Sequence, residues 1–157
     1  MRTETTSRRA LRRFYLLFLA IMIPLLSVLT GCSGTSTNQN VKMAPLSQMP
    51  AEVQKAPTTV REAYQFAVSN PYALKNVPCY CGCGAVGHTS NYSCYVKEIK
   101  PSGEVVFDQH ALGCSICVDI TKDVMKMTKA GKPAQEIRAA IDKTYSQYGR
   151  SNMTAAQ

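Results

Sequence analysis

Residues 108–131 read DQHALGCSICVDITKDVMKMTKAG, and this stretch decides the fold. Ile116, Ile120, Val124 and Met127 recur every three or four residues, while Asp119, Lys122, Asp123, Lys126 and Lys129 fall on the opposite face. That period predicts an amphipathic helix from Asp108 to about Ala130, with Asp108 as N-cap and Gly131 as terminator. On such a helix His110, Cys114 and Cys117 stand at i, i+4 and i+7, one stripe beside the apolar face. Gly113 offers an alternative in which the helix starts later. Cys114 then sits near a helix N-terminus, where a thiolate is stabilised.

Working outward, Pro133 suits the first turn of a last helix carrying Ile137, Ile141, Tyr145 and Tyr148 inward, and residues 150–157 read as a disordered tail. Upstream, Cys94–Ile99 and Glu104–Phe107 flank Pro101-Ser102-Gly103, the pattern of a β-hairpin. Lys75–Ser93 has no helical period and is crowded with Cys and Gly, so it reads as loop. Thr59 and Glu62 have capping-box spacing and open a helix with Val60, Ala63, Tyr64 and Ala67 on one face, ended by Asn70-Pro71. The expected fold is α+β, mostly helical: a small domain over 58–149 of about three helices, one β-hairpin and a Cys-rich loop. Its expected core joins Ile116, Ile120, Val124, Ile137 and Ile141. There are no internal repeats, and the length is near the lower limit for a self-sufficient core.

The first 31 residues have a different character. Arg2, Arg8, Arg9, Arg12 and Arg13 precede an apolar run from Phe14 to Val28, about 15 residues against the ~20 of a bilayer-spanning helix. Leu29-Thr30-Gly31-Cys32 resembles a bacterial lipobox. Residues 1–31 thus read as a lipoprotein signal peptide, with Cys32 as the lipidation site carrying diacylglycerol and palmitate. Ser7-Arg8-Arg9 partly resembles a twin-arginine signal, which leaves the export route open. Residues 32–57, rich in Ser, Thr, Asn and Gln and dotted with Pro45, Pro50 and Pro57, read as a flexible tether, with Met43 and Met49 as ordinary linker residues. The expected location is the cell membrane or outer membrane, lipid-anchored and facing away from the cytoplasm. Ser33 after the lipid-bearing cysteine is compatible with an outer membrane where one exists.

The formal charge of +8 is largely a property of that leader. Without residues 1–31 the chain has 13 basic and 9 acidic residues, a net +4. No basic cluster with interleaved aromatics remains, which argues against nucleic acid as a partner.

Six cysteines remain beside Cys32, namely Cys79, Cys81, Cys83, Cys94, Cys114 and Cys117, and both histidines, His88 and His110, fall among them. Soft thiolates favour Cu(I) and Zn(II) over hard ions. Six sulfurs and two imidazoles exceed the ligand set of one tetrahedral zinc ion, which points to a polynuclear cluster or to two sites. The predicted metal ligands are Cys79, Cys81, Cys83, Cys94, His110, Cys114 and Cys117, with His88 as a further candidate. Small exported domains with an even number of cysteines are commonly stapled by disulfides, and that alternative stays open.

Pro78-Cys79-Tyr80-Cys81-Gly82-Cys83 reproduces the motif of the PCYCGC-motif bacterial lipoproteins, which the chain resembles from about Pro71 to Tyr148. Asp108-Gln109-His110-Ala111 with Cys114-Ser115-Ile116-Cys117 is similar to their second landmark, and the stretch from Lys132 to Ile141 is similar too. The resemblance implies an exported lipoprotein and supplies no activity. Three functions follow from the residues: a lipid-anchored protein that binds copper(I), or zinc as second choice, for sequestration or relay; a disulfide-stapled envelope binding module; and a thiol–disulfide oxidoreductase using Cys114 and Cys117. No strand–helix–strand pattern precedes that pair and no hydrolytic triad is discernible, so a binding protein is expected rather than an enzyme. The expected partners are the membrane, through the anchor, and a metal ion. No protein partner is indicated.

Overall fold

A computed structural model describes residues 40–153. The expected signal peptide, Cys32 and residues 33–39 of the expected tether lie outside the described residues, as do the last four residues.

The folded part begins earlier than residue 58, which corrects the expected tether. Ala44 N donates to Gln65 O at 3.0 Å, and Gln65 Nε2 donates to Ala44 O at 2.7 Å. A 3-10 turn over Leu46–Gln48 leads to helix α1, Ala51–Lys55. Ala44, Met49 and Val53 are buried in the core, so Met49 is no linker residue. These scattered apolar residues lack a helical period, and their burial comes from packing on a neighbour rather than from any local pattern.

Helix α2, Thr58–Ser69, and α3, Pro71–Lys75, follow. The capping box does not form. Pro57 holds the N-cap position without a side-chain hydrogen bond, and Pro57 O accepts from Val60 N and Arg61 N. Ala63, Tyr64 and Ala67 are buried as expected, together with Phe66. Strands β1, Val96–Ile99, and β2, Val105–Phe107, pair antiparallel as Val96↔Phe107, Glu98↔Val106 and Ile99↔Val105. Lys100 O accepts from Gly103 N at the turn, where Gly103 has φ of 85°.

The helix expected to run unbroken from Asp108 is divided. Helix α4, His110–Gly113, stops at Cys114, whose φ of −119° and ψ of 101° are extended, and α5 runs over Ser115–Lys129. Gly113 weakens the helix there, as the alternative reading anticipated. Asp108 still caps its own turn, its Oδ1 accepting from His110 N at 2.8 Å. Helix α5 ends as expected. Gly131 (φ 71°) donates to Thr128 O and Lys132 donates to Met127 O, the pair of bonds of a Schellman motif. In α6, Ala134–Tyr145, Pro133 is the N-cap rather than part of the first turn.

Helix α5 lies between α2 and α6. Ile120, Val124, Ile137 and Ile141 are buried at this junction, and Ile116 packs partly buried against it. Tyr145 is buried as expected, but Tyr148, beyond the end of α6, is 58% exposed. Ile120→Ala should lower the unfolding free energy by about 2–4 kcal/mol in a denaturant titration, because the side chain is fully buried between helices. The architecture is the small α+β unit expected, with three long helices, three short ones and one hairpin among the described residues.

Candidate metal centre

Three segments carry the cysteines to one place. The first is the loop after α3. Val77 O accepts from Asn91 N at 2.8 Å, closing residues 77–91 on themselves. Gly82 has φ of 84°, a left-handed conformation that a Cβ would strain, and it turns the chain between Cys81 and Cys83. Tyr80 reaches outward to α6, its hydroxyl donating to Asp142 Oδ1 at 2.6 Å, while Arg138 Nε donates to the same carboxylate at 3.0 Å. The second segment is the 3-10 turn Tyr92–Cys94. The third is the junction of α4 and α5, where Cys114 is the N-cap of a fifteen-residue helix and Cys117 stands in its first turn. The positive end of the helix dipole therefore faces the sulfurs.

The residues expected to be disordered from 150 onward include a clasp on this loop. Cys79 N donates to Asn152 Oδ1 at 2.7 Å, Asn152 N donates to Cys79 O at 3.0 Å, and Asn152 Nδ2 lies 3.5 Å from Cys83 Sγ. The chain approaches so closely at Gly149 that a Cβ there would stand 2.7 Å from Tyr80 O. Nothing in the polar string Ser151-Asn152 marks this role in the sequence, since its partners are backbone groups about seventy residues away.

Cys117 is the hub. Its Sγ lies 3.1 Å from that of Cys79, 3.3 Å from those of Cys94 and Cys114, and 3.5 Å from that of Cys81. Cys83 and Cys94 are 3.7 Å apart, and Cys81 Sγ is 3.4 Å from His110 Nε2. None of the six cysteines among the described residues is in a disulfide. Their separations exceed the ~2.05 Å of a disulfide and approach the roughly 3.8 Å between sulfurs sharing one tetrahedral ion at ~2.3 Å. Three groups of four donors each lie within 4.8 Å: Cys79, Cys81, Cys83 and Cys117; Cys81, His110, Cys114 and Cys117; and Cys83, Cys94, His110 and Cys117. Every predicted ligand belongs to at least one group, and Cys117 belongs to all three. The donor chemistry and spacing therefore fit a soft metal ion.

His88 is the exception. It belongs to none of those groups. Its Nε2 is 3.3 Å from Asp108 Oδ2, and its ring meets that of His110 edge-on with centroids 5.0 Å apart. It stands behind the ligand His110 rather than beside it.

A buried polar network fixes the hub, and the sequence reading missed it. Cys117 O accepts from Asn91 Nδ2 at 3.2 Å and from the Tyr95 hydroxyl at 2.9 Å. Thr121 Oγ1 donates to Asn91 Oδ1 at 2.7 Å and lies 2.8 Å from the Tyr95 hydroxyl oxygen. Asn91, Tyr95 and Thr121 are each 0% exposed. Thr121 on the apolar stripe of α5 was the available signal, because a hydroxyl there needs a partner.

The thiols are electrostatically coupled and unequal. Cys79 is lowered to about 7, chiefly because the Cys117 thiol hydrogen-bonds to it. Cys117 is pushed up by its bonds to Cys79, Cys83 and Cys94, and Cys81 by desolvation and then by charge on Cys79. Cys83 is lowered too, by hydrogen bonds from Cys117, Cys79 and Cys94. Thiolates therefore form readily at Cys79 and Cys83 while Cys81, Cys94 and Cys117 resist, as expected of like charges in a dry site. A cation among the sulfurs removes that resistance.

Residues 21–156 match the model of a family described as proteins of unknown function with a PCYCGC motif. No curated protein and no solved structure matches the chain. The naming motif supplies three of the clustered thiols and the match covers most of the length, so the chain belongs to the PCYCGC-motif family.

Proposed function

We propose that this is an exported, lipid-anchored protein that binds soft metal ions through its Cys/His cluster, copper(I) first and zinc(II) second, for sequestration or relay. The observation that carries the reading is the sharing of Cys117 among three overlapping four-donor groups. A structural staple needs paired sulfurs, and here one sulfur has four sulfur neighbours within 3.5 Å. The same crowding weighs against a dedicated Cys114–Cys117 redox pair, because Cys117 is no more the partner of Cys114 than of Cys79 or Cys94. Copper(I) is preferred because it tolerates low coordination numbers and bridging thiolates, and six sulfurs on so small a volume require bridging. The ligands would be Cys79, Cys81, Cys83, Cys94, His110, Cys114 and Cys117. Anchoring rests on the Leu29–Cys32 lipobox and places the cluster outside the cytoplasm, at the membrane surface.

Elemental analysis with thiol counting tests the reading. Purified reduced protein exposed to copper(I) or zinc(II) should retain more than one ion per chain. All six cysteines of the domain should be recovered as thiols after the metal is stripped. Three disulfides and no retained metal would sink the proposal.

A further inference from the structure

The cluster has two sides. Cys79, Cys83, Cys94 and Cys117 are 0–2% exposed, whereas Cys81, His110 and Cys114 are half-buried. With Cys117, those three half-buried residues form one complete four-donor group. The remaining thiols, Cys79, Cys83 and Cys94, are buried; Cys79 and Cys94 lie 3.1 and 3.3 Å from Cys117, and Cys83 lies 3.7 Å from Cys94.

Cys114 also lies at a break in the helical backbone. It sits between α4 and α5 in extended backbone, with a helix beginning only at the next residue. A cleft of about 290 Å³ has Cys114 in its wall, together with Val60, Leu112 and Val118. A soft ion leaves a thiolate site by ligand substitution, so an incoming sulfur must reach it. The cleft gives that sulfur room at Cys114, and the buried side offers none.

We propose that the cluster divides into a retained inner ion, held by Cys79, Cys83, Cys94 and Cys117, and an exchangeable outer ion. The outer ion is held by Cys81, His110 and Cys114 with Cys117 shared, and it passes to or from a thiol-bearing carrier at Cys114. This rests on the metal-binding reading above and adds the point of transfer. In the first step the carrier's sulfur forms a bond to the outer ion as the Cys114–metal bond breaks. The proton given up by the carrier's thiol passes to the released Cys114 thiolate, and no electron changes hands. Substitution at Cys81 follows in the same way. His110 leaves as a neutral imidazole, so the outer ion parts from fewer anionic ligands than the inner one.

The test uses the full chain loaded with zinc(II) under reducing conditions and challenged with an excess of a small chelating dithiol. Two ions per chain should leave in two phases, the first at least tenfold faster and amounting to one equivalent. Cys114→Ser should remove the fast phase and leave the slow one. Should that variant fold poorly, alkylation of the half-depleted wild-type protein gives an independent readout, with label expected on Cys81 and Cys114 and protection of Cys83 and Cys94. Release of all zinc in one phase, or label spread evenly over the six cysteines, would overturn the division while leaving metal binding intact. A protein that takes up no zinc or copper at all would overturn both readings together.

Discussion

Cys117→Ser should remove nearly the whole metal complement, a loss larger than for any other single cysteine. The reason is topological. Cys117 is the one residue common to the three four-donor groups, and four other sulfurs lie within 3.5 Å of it. A hydroxyl there would be a harder and weaker donor at the centre of every arrangement. Cys114→Ser removes a ligand from one group alone and should leave part of the metal in place. Metal-to-protein ratios for the two variants, measured side by side, decide the matter. Equal partial losses would mean that no sulfur is shared.

The second large effect concerns a residue that touches no metal. Asn91→Ala should destabilise the metal-free reduced protein by about 2–3 kcal/mol, read from denaturant unfolding. The substitution removes the Thr121 hydroxyl's shortest bond, deprives Cys117 O of a donor and opens a cavity in a site without water access. Asn91 also fastens the Cys-rich loop, because its backbone N donates to Val77 O and its backbone O accepts from Cys94 N. Those backbone bonds survive the substitution, so the loop should stay closed while the hub loosens. Tyr95→Phe removes one hydroxyl from the same network and should cost less, about 1 kcal/mol. A variant of Asn91 as stable as the wild type would show that the network does not hold the hub.

The parts of this molecule that were legible in its sequence are those with a local signal. The period of Ile120, Val124, Ile137 and Ile141 announced two helices and the core between them, and Gly131 marked where α5 ends. Pro101-Ser102-Gly103 announced the hairpin turn. The gathering of His110, Cys114 and Cys117 was visible in their spacing, although an unbroken helix is not what delivers it. The break at Cys114 puts its thiol at the start of α5, where it and Cys117 both face the loop sulfurs.

What stayed hidden depends on distant backbone. Residues 40–57 look like a tether because their apolar members follow no period, yet Met49 and Val53 are buried in the core. Ser151-Asn152 look like a frayed end because Asn is a poor helix former, yet Asn152 bonds both backbone groups of Cys79. The first depends on packing against a distant core and the second on the peptide groups of Cys79, and composition carries no record of where either lies. The polar trio of Asn91, Tyr95 and Thr121 was hidden for a related reason, since Asn91 and Tyr95 flank one 3-10 turn and Thr121 stands on α5, distant in sequence.

X-ray absorption on the copper(I)-loaded full chain tests the central claim most directly, that these six thiols form a single cluster with shared sulfur. The account predicts a first shell dominated by sulfur and a second shell of metal–metal scattering, because an ion on either side of Cys117 must have a metal neighbour. A first shell of nitrogen and oxygen, or sulfur-bound copper with no metal neighbour at full loading, would contradict it.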